Sequence, residues 1–174
     1  FAIIRQESAF DPADWSHAHA MGLMQVTPAA GKHTCKRYSC TYDVKRNLIV
    51  AMNAGVAQTL EPNDGYVSLI NPDGTVHTTK WIGATRDGLT LNHPLGSAIA
   101  NGILYAADMN VVRLLDLATG TPKAAFTVTG AQTLNGIAVA GDGSIYASNT
   151  ADPQRIYKVT PRGESSVFVE GQPL

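Results

Sequence analysis

Apolar and polar positions change rhythm once along this chain. In residues 1–10, FAIIRQESAF, Phe1, Ile4 and Ser8 share one face at helical spacing, with Ile3 and Glu7 beside them. Asp11-Pro12 stops that helix and can start the next turn, with Asp11 as cap and Pro12 at the first helical position. Residues 18–25 are small and apolar and read as helical again, until Pro28 and Gly31 interrupt them. Residues 34–46 are polar and basic, with no clear period. From about Arg46 onward helix signals vanish, and β-branched residues, glycines and turn dipeptides take over.

This second rhythm predicts short strands at 66–70, 76–82, 111–115, 124–128, 156–159 and 167–169. They are separated by turn chemistry such as Asn71-Pro72-Asp73-Gly74 and Thr160-Pro161-Arg162-Gly163. Residues 134–150, LNGIAVAGDGSIYASNT, form a module: an alternating strand, the turn Gly141-Asp142-Gly143, and a second strand opened by Ile145 and Tyr146. The module returns upstream as GSAIANGILYAAD, residues 96–108. Gly96 matches Gly136, Asn101-Gly102 replaces the turn, and Leu104-Tyr105-Ala106 matches Ile145-Tyr146-Ala147. A fainter copy is NLIVAMN, residues 47–53. A period of about 40 residues built from short strands predicts propeller blades. The expected fold is mainly β: an incomplete β-propeller of about three blades at 44–174, preceded by a short α-helical fragment at 1–43. Unclosed blades expose strand edges, so self-association through open edges is expected.

Composition narrows the function classes. The chain has 174 residues, 44% hydrophobic and 16% charged, which is globular. A formal net charge of -1 gives no electrostatic case for nucleic acid, and no apolar run reaches the length of a membrane span. The chain opens at Phe1 and reads as an excerpt of a longer product. Cys35 and Cys40 are the two cysteines; a small disulfide loop and two free thiols are equally open. No cofactor or metal is expected from the histidines, since His17, His19 and His33 lack metal-ligand spacing.

The sharpest chemical signal lies in the helical leader. RQESAF, followed by Ser16 and by Ala20-Met21-Gly22-Leu23-Met24-Gln25-Val26-Thr27-Pro28, resembles the soluble lytic transglycosylases, lysozyme-like enzymes that cut peptidoglycan. The resemblance continues more weakly through TCKRYSCTYDVKR, residues 34–46. It implies that Glu7 is the single acid/base. Burial beside Ile3 and Ile4 would favour its neutral form, able to protonate a glycosidic oxygen. It implies further that Ser8 supports Glu7, that Met24 and Gln25 line the sugar cleft, and that peptidoglycan glycan strands are the partner. The product would be a 1,6-anhydro sugar, which departs from the two-carboxylate scheme. A periplasmic or secreted bacterial location follows from the same resemblance. In the family, further helices and a Tyr-Asn-Ala-Gly element complete the cleft. Here Met52-Asn53-Ala54-Gly55 comes early and in a strand-like context, which reads as the start of a propeller loop.

The segments YDVKRNLIVAMN, GYVSLINPDGTV, GILYAADMNVVRLLDLATG and LNGIAVAGDGSIYASNT resemble the gluconolactonase and senescence-marker-protein superfamily of propellers. Lactonase members hold a metal with Glu, Asn and Asp. Asn135, Asp108 and Asn149 stand at comparable strand ends, but no matching Glu is evident. His93, before Pro94, reads as a capping or loop residue. The junction near 43–47 has no Pro-, Gly- or Ser-rich linker, so the chain reads as a composite of two partial domains. The expectation is a lytic transglycosylase motif on a truncated domain, with weak or absent activity. The alternatives are a non-catalytic propeller scaffold and, behind it, a metal-dependent lactonase-like hydrolase.

Overall fold

The computed structural model describes residues 40–43, 48–54, 64–71, 73–83, 89 and 91–171. The last four residues of the helical fragment expected at 1–43, Cys40–Asp43, form a strand rather than helix, and residues 1–39 lie outside the described residues. Twelve strands occur among them: β1 (Cys40–Asp43), β2 (Leu48–Asn53), β3 (Tyr66–Ile70), β4 (Val76–Gly83), β5 (Pro94–Ala100), β6 (Ile103–Asp108), β7 (Val111–Asp116), β8 (Pro122–Thr127), β9 (Leu134–Val139), β10 (Ile145–Asn149), β11 (Arg155–Val159) and β12 (Ser165–Glu170). They form three four-stranded sheets in the orders β1-β2-β3-β4, β5-β6-β7-β8 and β9-β10-β11-β12. Every pairing is antiparallel and joins sequence neighbours. These are called sheets 1, 2 and 3.

The turns make these meanders. Asn101 and Gly102 both have positive φ, 50° and 74°, the backbone of a two-residue hairpin turn whose twist suits the flanking strands. The turns after β3, β9 and β11 share one design. The first residue's N–H donates to the carbonyl four residues on, and a positive-φ glycine closes back onto the first carbonyl: Gly74 onto Asn71, Gly143 onto Ala140, Gly163 onto Thr160. Aspartates hold two of these turns. Asp73 Oδ1 accepts from the Thr75 N–H and hydroxyl, and Asp142 Oδ1 accepts from the Ser144 N–H.

One strand was not legible in the sequence. β1 lies in the basic stretch that shows no period, and pairs with β2 from Cys40 opposite Ala51 to Asp43 opposite Leu48. Pairing with an apolar neighbour strand, rather than its own alternation, defines it.

Two apolar layers lie between the sheets. Val50, Met52, Val67, Leu69 and Ile82 of sheet 1 pack with Leu104, Ala106 and Leu115 of sheet 2. Tyr105, Ala107 and Val112, on the other face of sheet 2, pack with Leu134, Ile145, Ala147, Tyr157 and Val159 of sheet 3. The first strands of sheets 2 and 3 also run close together. The carbonyl oxygen of Asn135 occupies the space a Cβ on residue 96 would need, so Gly96 permits the approach.

Candidate functional site

The residues expected to carry chemistry, Glu7, Ser8, Met24 and Gln25, lie outside the described residues, as does Cys35. What the structure describes is the end of the sheet array where second strands finish and first strands begin.

Two buried polar side chains organise that end. Asp108 closes β6 and is fully buried. Its Oδ1 accepts from the backbone N–H groups of Asn92 (2.8 Å) and His93 (2.7 Å), just ahead of β5. Its Oδ2 accepts from Arg113 Nε at 3.0 Å. Asn149 closes β10 and is 1% exposed. Its Oδ1 accepts from the N–H groups of Gln132 and Thr133, both at 2.9 Å, just ahead of β9. Its Nδ2 donates to the carbonyls of Ala151 and Pro153. The same latch therefore recurs: a side chain at the end of the second strand fixes the chain entering the first. These part-buried N–H pairs would otherwise lack a protein acceptor, and each such bond contributes about 0.5–1.5 kcal/mol, more to the charged Asp108.

A second set of bonds ties each sheet to the next. His93 Nδ1 lies 2.9 Å from the Ala54 carbonyl, a bond in which the ring N–H donates, and links the entry to sheet 2 with the end of β2. The Leu134 N–H donates to the Met109 carbonyl at 2.7 Å and links sheet 3 to sheet 2 at the corresponding place. Asn53 Nδ2 donates to the Tyr66 hydroxyl at 2.6 Å. So Asn53 and Ala54, the two described residues of the Asn-Ala-Gly element, are bound into the sheet array.

Asp108 and Asn149 do end equivalent strands, as the sequence suggests, but their oxygens face inward and hold backbone N–H groups and Arg113. Both carboxylate oxygens of Asp108 and the amide oxygen of Asn149 are engaged in these bonds. Among the described residues no group of three or more His, Cys, Asp or Glu could hold a metal ion. The latch role was not legible because an Asp or Asn before a turn usually serves its own turn. Arg113 gave no signal, since a charged strand residue is ordinarily solvated. His93 is a loop residue, as expected, with a linking bond as its task.

A different polar cluster sits at the start of β11. Arg155 donates through Nη2 to Glu170 at 2.7 Å. That bond first, and the adjacent Tyr157 hydroxyl second, hold the guanidinium well above its ordinary range. The Tyr157 hydroxyl is itself buried, and no hydrogen bond of good geometry reaches it.

Residues 1–67 match the family model of the Transglycosylase SLT domain. The match runs through β1 and β2 to the start of β3. A Haemophilus influenzae protein described as a candidate soluble lytic murein transglycosylase is 30% identical over 105 residues, covering 55% of this chain. The chain spans 18% of that relative's length. Solved structures resemble the sheet array. A candidate gluconolactonase superposes with a TM-score of 0.54 at 14% identity, covering 78% of this chain and 49% of that one. The WD40 β-propeller domain of Doa1 gives 0.52 at 14% identity, covering 75% of this chain and 38% of that one. Kuenenia stuttgartiensis hydrazine synthase gives 0.51 at 14% identity, with 75% and 34% covered. The described fold is thus mainly β and propeller-like. Among the described residues no helix is long and apolar enough to cross a membrane.

Proposed function

We propose that this chain is a peptidoglycan-directed protein in two parts, a lytic transglycosylase front and a scaffold of three propeller blades. The observation that carries this reading is the family match over residues 1–67, together with the 30% identical relative. Glu7 is the acid/base. It protonates the glycosidic oxygen between N-acetylmuramic acid and N-acetylglucosamine, then takes the proton of the sugar's own 6-hydroxyl as that oxygen closes on the anomeric carbon. Ser8 supports Glu7, and Met24 and Gln25 line the cleft. The working place is the bacterial periplasm or the outside of the cell. The junction lies near residues 43–47, with the transglycosylase part at 1–43 and the blades at 44–174.

One observation favours a second reading, a non-catalytic binding scaffold. Asn53 and Ala54 are held by Tyr66 and His93 in the sheet array. An element so engaged is withdrawn from completing a sugar cleft, and lost positioning alone costs orders of magnitude in rate. Weak cleavage is therefore the expected level. The test is incubation of the purified chain with bacterial sacculi and analysis of soluble products. Anhydro-muropeptides that vanish in Glu7→Gln support the enzyme. Binding to sacculi without release supports the scaffold, and reducing-end products overturn the lytic assignment.

A further inference from the structure

Two Asn-Gly pairs occur in the chain, and the fold treats them differently. Asn135-Gly136 lies inside β9. The Gly136 N–H donates to Ser148 Oγ at 2.9 Å. Asn135 is half-buried, and its carbonyl is set against Gly96. Asn101-Gly102 is instead the tip of the hairpin between β5 and β6, closed by the pair Ala100 and Ile103. Asn101 is exposed. Among the described residues neither its side chain nor the Gly102 N–H makes a hydrogen bond. A Cβ on Gly102 would meet nothing within 4 Å. The bond from the Leu117 N–H to the Gly102 carbonyl, 2.9 Å long, holds the next peptide along. The peptide between Asn101 and Gly102 is therefore free to turn over.

We propose that Asn101 is a self-modifying site, at which the chain converts its own asparagine through a succinimide. The Gly102 amide nitrogen attacks the side-chain carbonyl carbon of Asn101. A C–N bond forms and closes a cyclic imide. The side chain's own C–N bond breaks, and its nitrogen leaves as ammonia with the proton from Gly102. Water then adds to either imide carbonyl and opens the ring to aspartate or isoaspartate. Closure needs the Gly102 nitrogen to swing toward the Asn101 side chain, and a flip of the joining peptide supplies that swing. The flip converts the present turn, with positive φ at both central residues, from type I′ to type II′, the other two-residue turn whose twist suits a hairpin. Type II′ keeps positive φ at the first central residue, and glycine accepts either sign at the second. Asn101 can therefore react without parting β5 from β6. At Asn135 the same motion would break the bond from Gly136 to Ser148 and drive backbone against β5. The product adds a carboxylate to the hairpin tip. Isoaspartate also adds a methylene to the main chain, lengthening the turn beside the Leu117 bond.

The test follows peptides of the intact chain by mass spectrometry during incubation at mildly alkaline pH, with and without denaturant. In the folded chain the Asn101 peptide should lose the mass of ammonia and then gain that of water, at least about tenfold faster than the Asn135 peptide. In denaturant, where turn and strand are both gone, the two should react at similar rates. Asn101→Gln keeps a side-chain amide but would have to close a larger ring, and its peptide should stay unmodified. Equal rates at the two sites in the folded chain overturn the proposal. So does an Asn101 peptide that reacts only in denaturant, since the turn would then protect its asparagine. A preference for Asn101 that persists in denaturant overturns it too, because the neighbouring residues rather than the fold would set it.

Discussion

The carbonyl oxygen of Asn135 stands where a Cβ on Gly96 would have to be. The two glycines aligned by the repeat, Gly96 and Gly136, therefore differ in what they do. Gly96 lets the first strands of sheets 2 and 3 touch, whereas a Cβ at Gly136 would meet the Ser148 hydroxyl oxygen at 3.1 Å. Backbone cannot move aside as a side-chain tip can, so Gly96→Ala is expected to destabilise by about 3 kcal/mol. Gly141, with open space around it, is the control, and Gly141→Ala should stay within about 1 kcal/mol of the parent. Urea unfolding of both variants reads the difference. Equal midpoints would show that the strands can part without cost.

The buried pair of Asp108 and Arg113 predicts a graded series. Asp108→Ala removes the acceptor for two N–H groups and the partner of a guanidinium, and should cost about 3–5 kcal/mol. Asp108→Asn keeps an amide oxygen for the two N–H groups, as Asn149 does in sheet 3, and should cost less than half as much. If both variants unfold at the same denaturant concentration, the N–H latch is not what stabilises this corner.

Asn149→Ala and Tyr157→Phe should behave oppositely although both side chains are buried. The first removes the acceptor of the Gln132 and Thr133 N–H groups and the donor to the Ala151 and Pro153 carbonyls, at about 1–3 kcal/mol. The second removes a buried hydroxyl that lacks a well-formed hydrogen bond, and should be neutral or stabilising by up to about 1 kcal/mol. Thermal unfolding checks both. A large loss in Tyr157→Phe would mean that its contact with Arg155 carries weight.

Acid should act through the turns. Asp73 is held below its ordinary value of 3.8 by Thr75, mainly through the hydroxyl. Asp116 is held below it first by the Thr119 N–H and then by Lys123, and Asp142 by the Ser144 N–H and hydroxyl. A carboxylate whose folded value is lowered adds stability that is complete above its unfolded value. That stability is lost as pH falls through the lower folded value. The thermal midpoint should therefore fall below about pH 4 through these groups. Asp116→Asn, which keeps an acceptor but does not titrate, should flatten the acid limb. An unchanged limb would assign acid sensitivity elsewhere.

The sheet array was largely legible because its local signals agree. Asn101-Gly102 demanded a two-residue turn, Gly141-Asp142-Gly143 a longer one, and the alternation around them fixed the strands to within two residues or so. β1 escaped because Cys40 to Asp43 carry no period and become a strand only beside β2. The latches escaped because they are long-range. Nothing near Asp108 in sequence says that its oxygens reach back to Asn92 and His93 and across the strand to Arg113. The transglycosylase motif was legible for the opposite reason, as its residue types and spacing are compact in sequence. Glu7 itself lies outside the described residues.

Because each strand in every sheet pairs with a sequence neighbour, most closing loops in this array are short. Contact order is therefore low for a β protein, and the entropy of loop closure is met in small steps. Such an array is quasi-one-dimensional: each sheet has its own hairpin energy plus one coupling term per neighbour. Sheet 2 has two such couplings and sheet 3 one among the described sheets. Amide protons of β6 and β7 should accordingly exchange last, and opening should travel inward from sheet 3 as a front rather than as a single collapse.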